Sequence, residues 1–177
     1  MNMSIREVAG AVSVVTALVG LTLTGSSEAW AQQKAGSSAK QLMGHWAPVS
    51  VTVEQGGKKV EPFGPNPKGL FIFDRSGRYS IVLLRPGVAK FASNNREAGT
   101  ADENKAAVQG TLAHVGTYAV NEKEGSYNLR IESSSFPNWS GTDQKRLFTV
   151  SGDELRITNP TPSQGSGTAL VVLKRVK

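Results

Sequence analysis

Gln144, Arg146, Phe148 and Val150 stand two residues apart. On an extended chain that spacing puts an amide, a guanidinium, a ring and an aliphatic group on one face. A cation between apolar neighbours on an inward face must find a partner or a ligand, because burying an unpaired ion is very costly. The same alternation aligns Arg85 with Tyr79, Ile81 and Leu83, and Arg130 with Asn128 and Glu132. Just upstream, "SSSFPNWSG" sets Phe136 and Trp139 in turn-forming company. A turn alone does not need two large rings. Apolar walls with a few placed donors describe a cavity for an amphipathic molecule, its acidic or carbonyl end held by guanidinium groups and its body under aromatic rings. Two other arrangements use the same residues. Glu132 can pair with Arg130 or Arg146 in a structural network, and Phe136 with Trp139 can form a plug that seals one end of the fold.

Catalytic chemistry has fewer candidates. The chain has two histidines, His45 and His114, and no cysteine, so no metal site with sensible ligand spacing exists and no cofactor is expected. There is no nucleophile elbow of the G-x-S-x-G type. His114 and Tyr118 are the pair able to act as acid and base beside a bound substrate; the competing role for His114 is a partner for a helix C-terminal dipole. "PFGPNPKG" at 62–69 is a rigid connection suited to framing a pocket mouth. A strand follows it rather than a helix, which excludes a phosphate cradle. The chain carries a net charge of +6, but its cations are scattered and match no nucleic-acid motif, so nucleic acid is not an expected partner.

The elements that must position these groups are mostly strands. Alternating, β-rich runs are predicted at 46–54, 58–61, 69–74, 78–85, 116–120, 126–132, 144–150, 154–158 and 168–176. "DRSGR", "NEKEG" and "VSGDE" join them as tight turns, because glycine tolerates positive φ. Such a meander leaves exposed edges unless it closes, and closure of about eight antiparallel strands gives an up-and-down β-barrel. One segment departs from the period of two. Thr100-Ala101-Asp102-Glu103 has capping-box spacing, and Ala107, Thr111, Leu112 and Val115 follow at helical spacing, which predicts one short helix over 101–113.

Ahead of this domain, Arg6, an uncharged run from Val8 to Ser27 and the small residues of Ala29-Trp30-Ala31 read as a secretory signal over 1–31. An uncleaved anchor is the other reading of so long an uncharged run. Cleavage leaves no membrane span, a flexible leader at 32–41 and a barrel domain at 42–177, in a bacterial protein exported to the periplasm or beyond.

Gly44-His45-Trp46 looks like the G-x-W signature of lipocalins. More broadly, residues 42–176 resemble the bacterial and fungal lipocalin-like domain family in their L-x-G-x-W start (Leu42 to Trp46), "PFGPxPKG" turn (62–69), "RP…FAS" segment (85–93), "GTY" strand (116–118) and "FPNWxGTDQxR" block (136–146). The resemblance implies that Trp46 plugs the closed end of a barrel, with Gly44 beside it and Arg175 of the last strand lying over the indole. Together these observations predict an exported protein that binds a small amphipathic or hydrophobic molecule inside the barrel, through Tyr79, Arg85, Tyr118, Arg130, Phe136, Trp139, Gln144 and Arg146. The alternative is an isomerase or cyclase acting on such a molecule in the same cavity.

Overall fold

The computed structural model of the chain describes residues 38–177. The secretory signal expected over 1–31, and residues 32–37 of the leader, lie outside the described residues. Residues 38–42, the end of the expected leader and the first residue of the expected domain, are helical, and Leu42 is fully buried.

The strands among the described residues are β1 (Gly44–Gln55), β2 (Lys58–Val60), β3 (Lys68–Phe73), β4 (Arg78–Leu84), β5 (Thr111–Asn121), β6 (Ser126–Ser134), β7 (Asp143–Ser151), β8 (Glu154–Asn159) and β9 (Thr168–Arg175), with one α-helix, α1 (Ala101–Gln109), between β4 and β5. They form one antiparallel sheet in the order β2-β1-β3-β4-β5-β6-β7-β8-β9, and a further β1–β9 pairing closes it. β1 serves two neighbours along its length. Gly44–Trp46 pairs with β3, while Trp46–Glu54 pairs with β9. The ladder shifts register between Pro48 and Ser50, which bends the strand from one partner toward the other. β2 pairs only with the far end of β1, so the closed wall has eight strands and β2 hangs outside it.

Alternation decides which side chains fill the interior. Tyr79, Ile81 and Leu83 of β4, Tyr127, Leu129 and Ile131 of β6, and Ala169, Val171 and Leu173 of β9 are all buried. The capping box at α1 is present: the Thr100 hydroxyl accepts from the Glu103 N–H, and the Glu103 carboxylate accepts from the Thr100 N–H. The helix nevertheless stops at Gln109, four residues short of the expected end. Gly110 caps it, its N–H bonded to Ala106 O, and Thr111 to Thr117 pair residue by residue with β4. A seven-residue ladder outweighs a weak helical period. His114 is therefore a strand residue, which removes the helix-dipole role.

One end of the barrel is sealed. Trp46 is fully buried, its indole N–H donates to Leu42 O at 2.8 Å, and the Arg175 guanidinium lies 4.0 Å from its ring centroid. Arg175 also donates to Met43 O (2.9 Å) and Gln41 O (2.6 Å), tying the last strand to the chain entering the first. Gly44 has φ +124°, and a Cβ there would lie 2.8 Å from the Arg175 guanidinium. Replacing Trp46 with Ala should destabilise the fold by about 3–5 kcal/mol, read as a lowered urea midpoint against wild type; a shift below about 1 kcal/mol would show that the indole is not a seal.

Candidate functional site

The sealed end leaves one direction of access. Between the Trp46 end and the loops opposite, the interior holds a slot walled by Phe71, Ile81, Leu83, Leu129, Ile157 and Val171. It is narrow: about 60 Å³ is wide enough for a water-sized sphere, within about 540 Å³ of atom-free space that includes its mouth. Phe63, Leu112, Ser163 and Gln164 line both this slot and a wider, solvent-open vestibule of about 450 Å³ by the same measure. The vestibule also takes Arg85, Val108 and Phe136 into its wall. The slot and the vestibule thus adjoin at the four residues they share.

Among the strand residues that line this apolar slot, four carry polar side chains: His114, Tyr127, Arg146 and Asn159. Tyr127 stands directly across from Arg146 in the β6–β7 ladder. The β7–β8 register, which pairs Leu147 with Thr158, sets Asn159 beside Arg146 on the other side. Direct cross-strand neighbours lie within about 5.5 Å at Cβ, so phenol, guanidinium and amide form one polar seam on the wall.

Arg146 is 4 % exposed. It donates to Lys145 O at 3.0 Å and to Gln144 Oε1, and it lies 5.6 Å from the Trp139 ring centroid. Burial holds its pKa below the ordinary guanidinium value, while Tyr127 and Tyr79 work in the opposite direction. The Tyr79 hydroxyl and His114 Nδ1 are 2.9 Å apart. Burial, reinforced by the Arg146 charge, pushes His114 down to about 3, so its imidazole is neutral near pH 7. Burial also pushes the Tyr79 and Tyr127 phenols up. Trp139 stands edge-on between these groups, 5.5 Å from His114 and 5.7 Å from Phe136 by ring centroids.

The structure brings some of the expected site residues together and separates others. Arg146, Trp139 and His114 line the slot. Gln144 holds the Arg146 guanidinium, and Tyr79 holds His114. Phe136 and Arg85 belong to the vestibule, where Arg85 reaches over to Pro62 O (2.5 and 3.1 Å) and braces the proline-rich loop. Two expectations need correction. Arg130 faces outward with its side chain 55 % exposed, paired with Asp143, because Tyr127, Leu129 and Ile131 take the inward positions of β6. Tyr118 points inward but below the slot: its hydroxyl donates to Asp74 O at 2.9 Å and its ring packs on Phe73. The network expected around Glu132 also differs, since that carboxylate binds Arg78 through both oxygens on the outside. Sequence reasoning missed Tyr127 and Asn159. The alternation Tyr127-Leu129-Ile131 and Leu155-Ile157-Asn159 carried the signal for both.

Comparison with known proteins gives two findings. The family model described as lipocalin-like domain matches residues 43–176. The 4'-hydroxy-3'-methoxypropiophenone carrier protein ppsC of Aspergillus oryzae (strain ATCC 42149 / RIB 40) is 31 % identical over 94 residues, which is 50 % of this chain and 85 % of that protein.

The state of His114 has a consequence for stability. Its folded pKa lies below the ordinary 6.5, so between about 3 and 6.5 the unfolded chain binds the extra proton and stability falls as pH falls through that window. The slope reaches about 1.4 kcal/mol per pH unit at most. Urea unfolding at pH 4 to 7 should show a shallower acid decline for His114→Gln than for wild type; parallel declines would mean that His114 titrates normally in the fold.

Proposed function

This chain belongs to the lipocalin-like domain family, and on that premise we propose that it carries one small, slender, largely apolar molecule in the barrel slot, with a carbonyl or acidic group turned to Arg146. The observation that carries this reading is the slot itself. It is apolar on most of its wall, open through a vestibule at one end, sealed at the other by Trp46, and provided with a buried guanidinium. A slot of that width suits a flat ring with one polar substituent better than a bulky or branched body. An aryl alkyl ketone has that shape, and the name of the ppsC relative describes a carrier of such a ketone. The proposal includes export of the chain, as its first 31 residues lead one to expect.

His114 supports a second reading, an isomerase or cyclase using the same slot. Since Tyr118 is engaged at Asp74, the pair beside a substrate would be His114 with Tyr79. A neutral imidazole with so depressed a pKa is a weak base near pH 7 and serves better as a hydrogen-bond donor to a ligand carbonyl. Carriage is therefore the reading adopted.

Propiophenone-type ketones added to the protein should quench the emission of Trp139, which lines the slot, and Trp139→Phe should abolish most of that response. Arg146→Ala should weaken binding by about 10- to 100-fold, the worth of a hydrogen bond to a charged group. Val171→Phe, which narrows the slot from β9, should weaken it comparably. Saturable quenching that survives all three substitutions, or none in wild type, would contradict carriage in the slot.

A further inference from the structure

Arg146 lacks a counter-charge. Among the described residues no carboxylate is paired with it. Its two hydrogen bonds end on neutral oxygens, Gln144 Oε1 and Lys145 O, and so occupy two of a guanidinium's five N–H donors. The groups facing it come from every neighbouring element: Tyr79 from β4, His114 from β5, Tyr127 from β6, Asn159 from β8, and Trp139 from the turn at Pro137–Trp139. β9 contributes Ala169 and Val171. None of these is anionic at neutral pH, since burial keeps both phenols protonated and the imidazole neutral. Glu132, whose charge reaches Tyr79, is already bound by Arg78 outside the wall. Asn159 adds an amide donor to the seam. Its Oδ1 accepts from the Thr161 N–H at 2.9 Å, which turns Nδ2 the other way.

A permanent cation that is 96 % buried and has no acid beside it is among the costliest arrangements an interior can hold. In a slot otherwise built of aliphatic and aromatic groups, the missing partner is one that the ligand can bring. We propose that the slot selects organic oxyanions: a phenolate, enolate or carboxylate of an otherwise apolar molecule, bound with its negative oxygen at the Arg146 guanidinium. This rests on the carriage reading above. Where the free ligand is a weak acid, binding releases its proton to solvent, so the bound molecule is the anion at a pH where most of the free molecule is neutral. Orientation follows, with the acidic oxygen at the β6–β7–β8 seam and the apolar body toward the vestibule.

The test uses the full-length protein with two matched probes, 4-hydroxyphenyl ethyl ketone and its methyl ether. The phenolate of the first absorbs at longer wavelength than the phenol, so its ionisation can be read while bound. The expected result is a bound-phenol midpoint at least about one pH unit below that of the free probe, as an opposite charge within a few ångströms produces, with proton release on binding. The methyl ether should bind at least about tenfold more weakly than the phenol at pH 8, with an affinity that does not vary with pH. Arg146→Met, which keeps the stem and removes the charge, should erase the midpoint shift while still binding the ether. Should that variant fail to fold, the wild-type midpoint decides alone. Both probes bound with no midpoint shift would overturn oxyanion selection and leave carriage standing. Binding of neither probe would overturn both.

Discussion

Closure of the sheet by β1 against β9 is the constraint on which every other feature of this protein rests. Trp46 to Glu54 pairs with Arg175 to Thr168, and that ladder turns a strip with two exposed edges into a wall with an inside. Once there is an inside, a period of two becomes a sorting rule, and one residue of slip would exchange the faces. The same closure brings Arg175 over Trp46 and thus seals one end. A barrel sealed at one end and open at the other has a bottom and a mouth, and so has depth as well as sides.

Depth separates the residues that share the inward face. Toward the seal, Phe73 packs against Tyr118 and Tyr127, and Tyr127 against Phe148, an aromatic floor from which Tyr127 also reaches the slot wall. Above them the side chains shorten or part, and the slot begins at the level of the Arg146 seam. Trp139 covers this level from the side. Its ring touches both His114 and the Arg146 guanidinium, which places one large apolar surface over the most polar part of the interior and keeps water from solvating the charge. The two rings of the 136–139 turn take separate places: Phe136 is vestibule wall and Trp139 is slot wall.

Much of this was legible in the residues, and what was not has a physical explanation. Strand positions followed from alternation, and the eight-stranded closure followed from the need to hide edges. The end of α1 was misplaced because Ala107, Thr111, Leu112 and Val115 satisfy a helical period while Thr111 to Val115 also alternate well enough to pair with β4; the tertiary ladder decided. Arg130 was misassigned because a polar face of Asn128, Arg130 and Glu132 was read as a site when its apolar counterpart, Tyr127, Leu129 and Ile131, had the stronger claim to the interior. Tyr118 was correctly turned inward and still missed the slot. Alternation reports which face a side chain takes but not its height along the barrel axis, which depends on strand tilt and stagger. Arg85 illustrates the same limit, lying one residue past the end of β4, where its head folds onto Pro62 O instead of into the slot.

What joins these observations is a single location for the ligand, inside the wall and above the aromatic floor. Nuclear Overhauser contacts between a bound aryl ketone and the methyl groups of the protein test that location most directly. The account predicts contacts to Ile81, Leu129, Ile157 and Val171, which line the slot, and none to Val115 or Leu147 on the outer surface. Contacts confined to the outer methyls, or a bound ketone that touches none of the four inner ones, would contradict it.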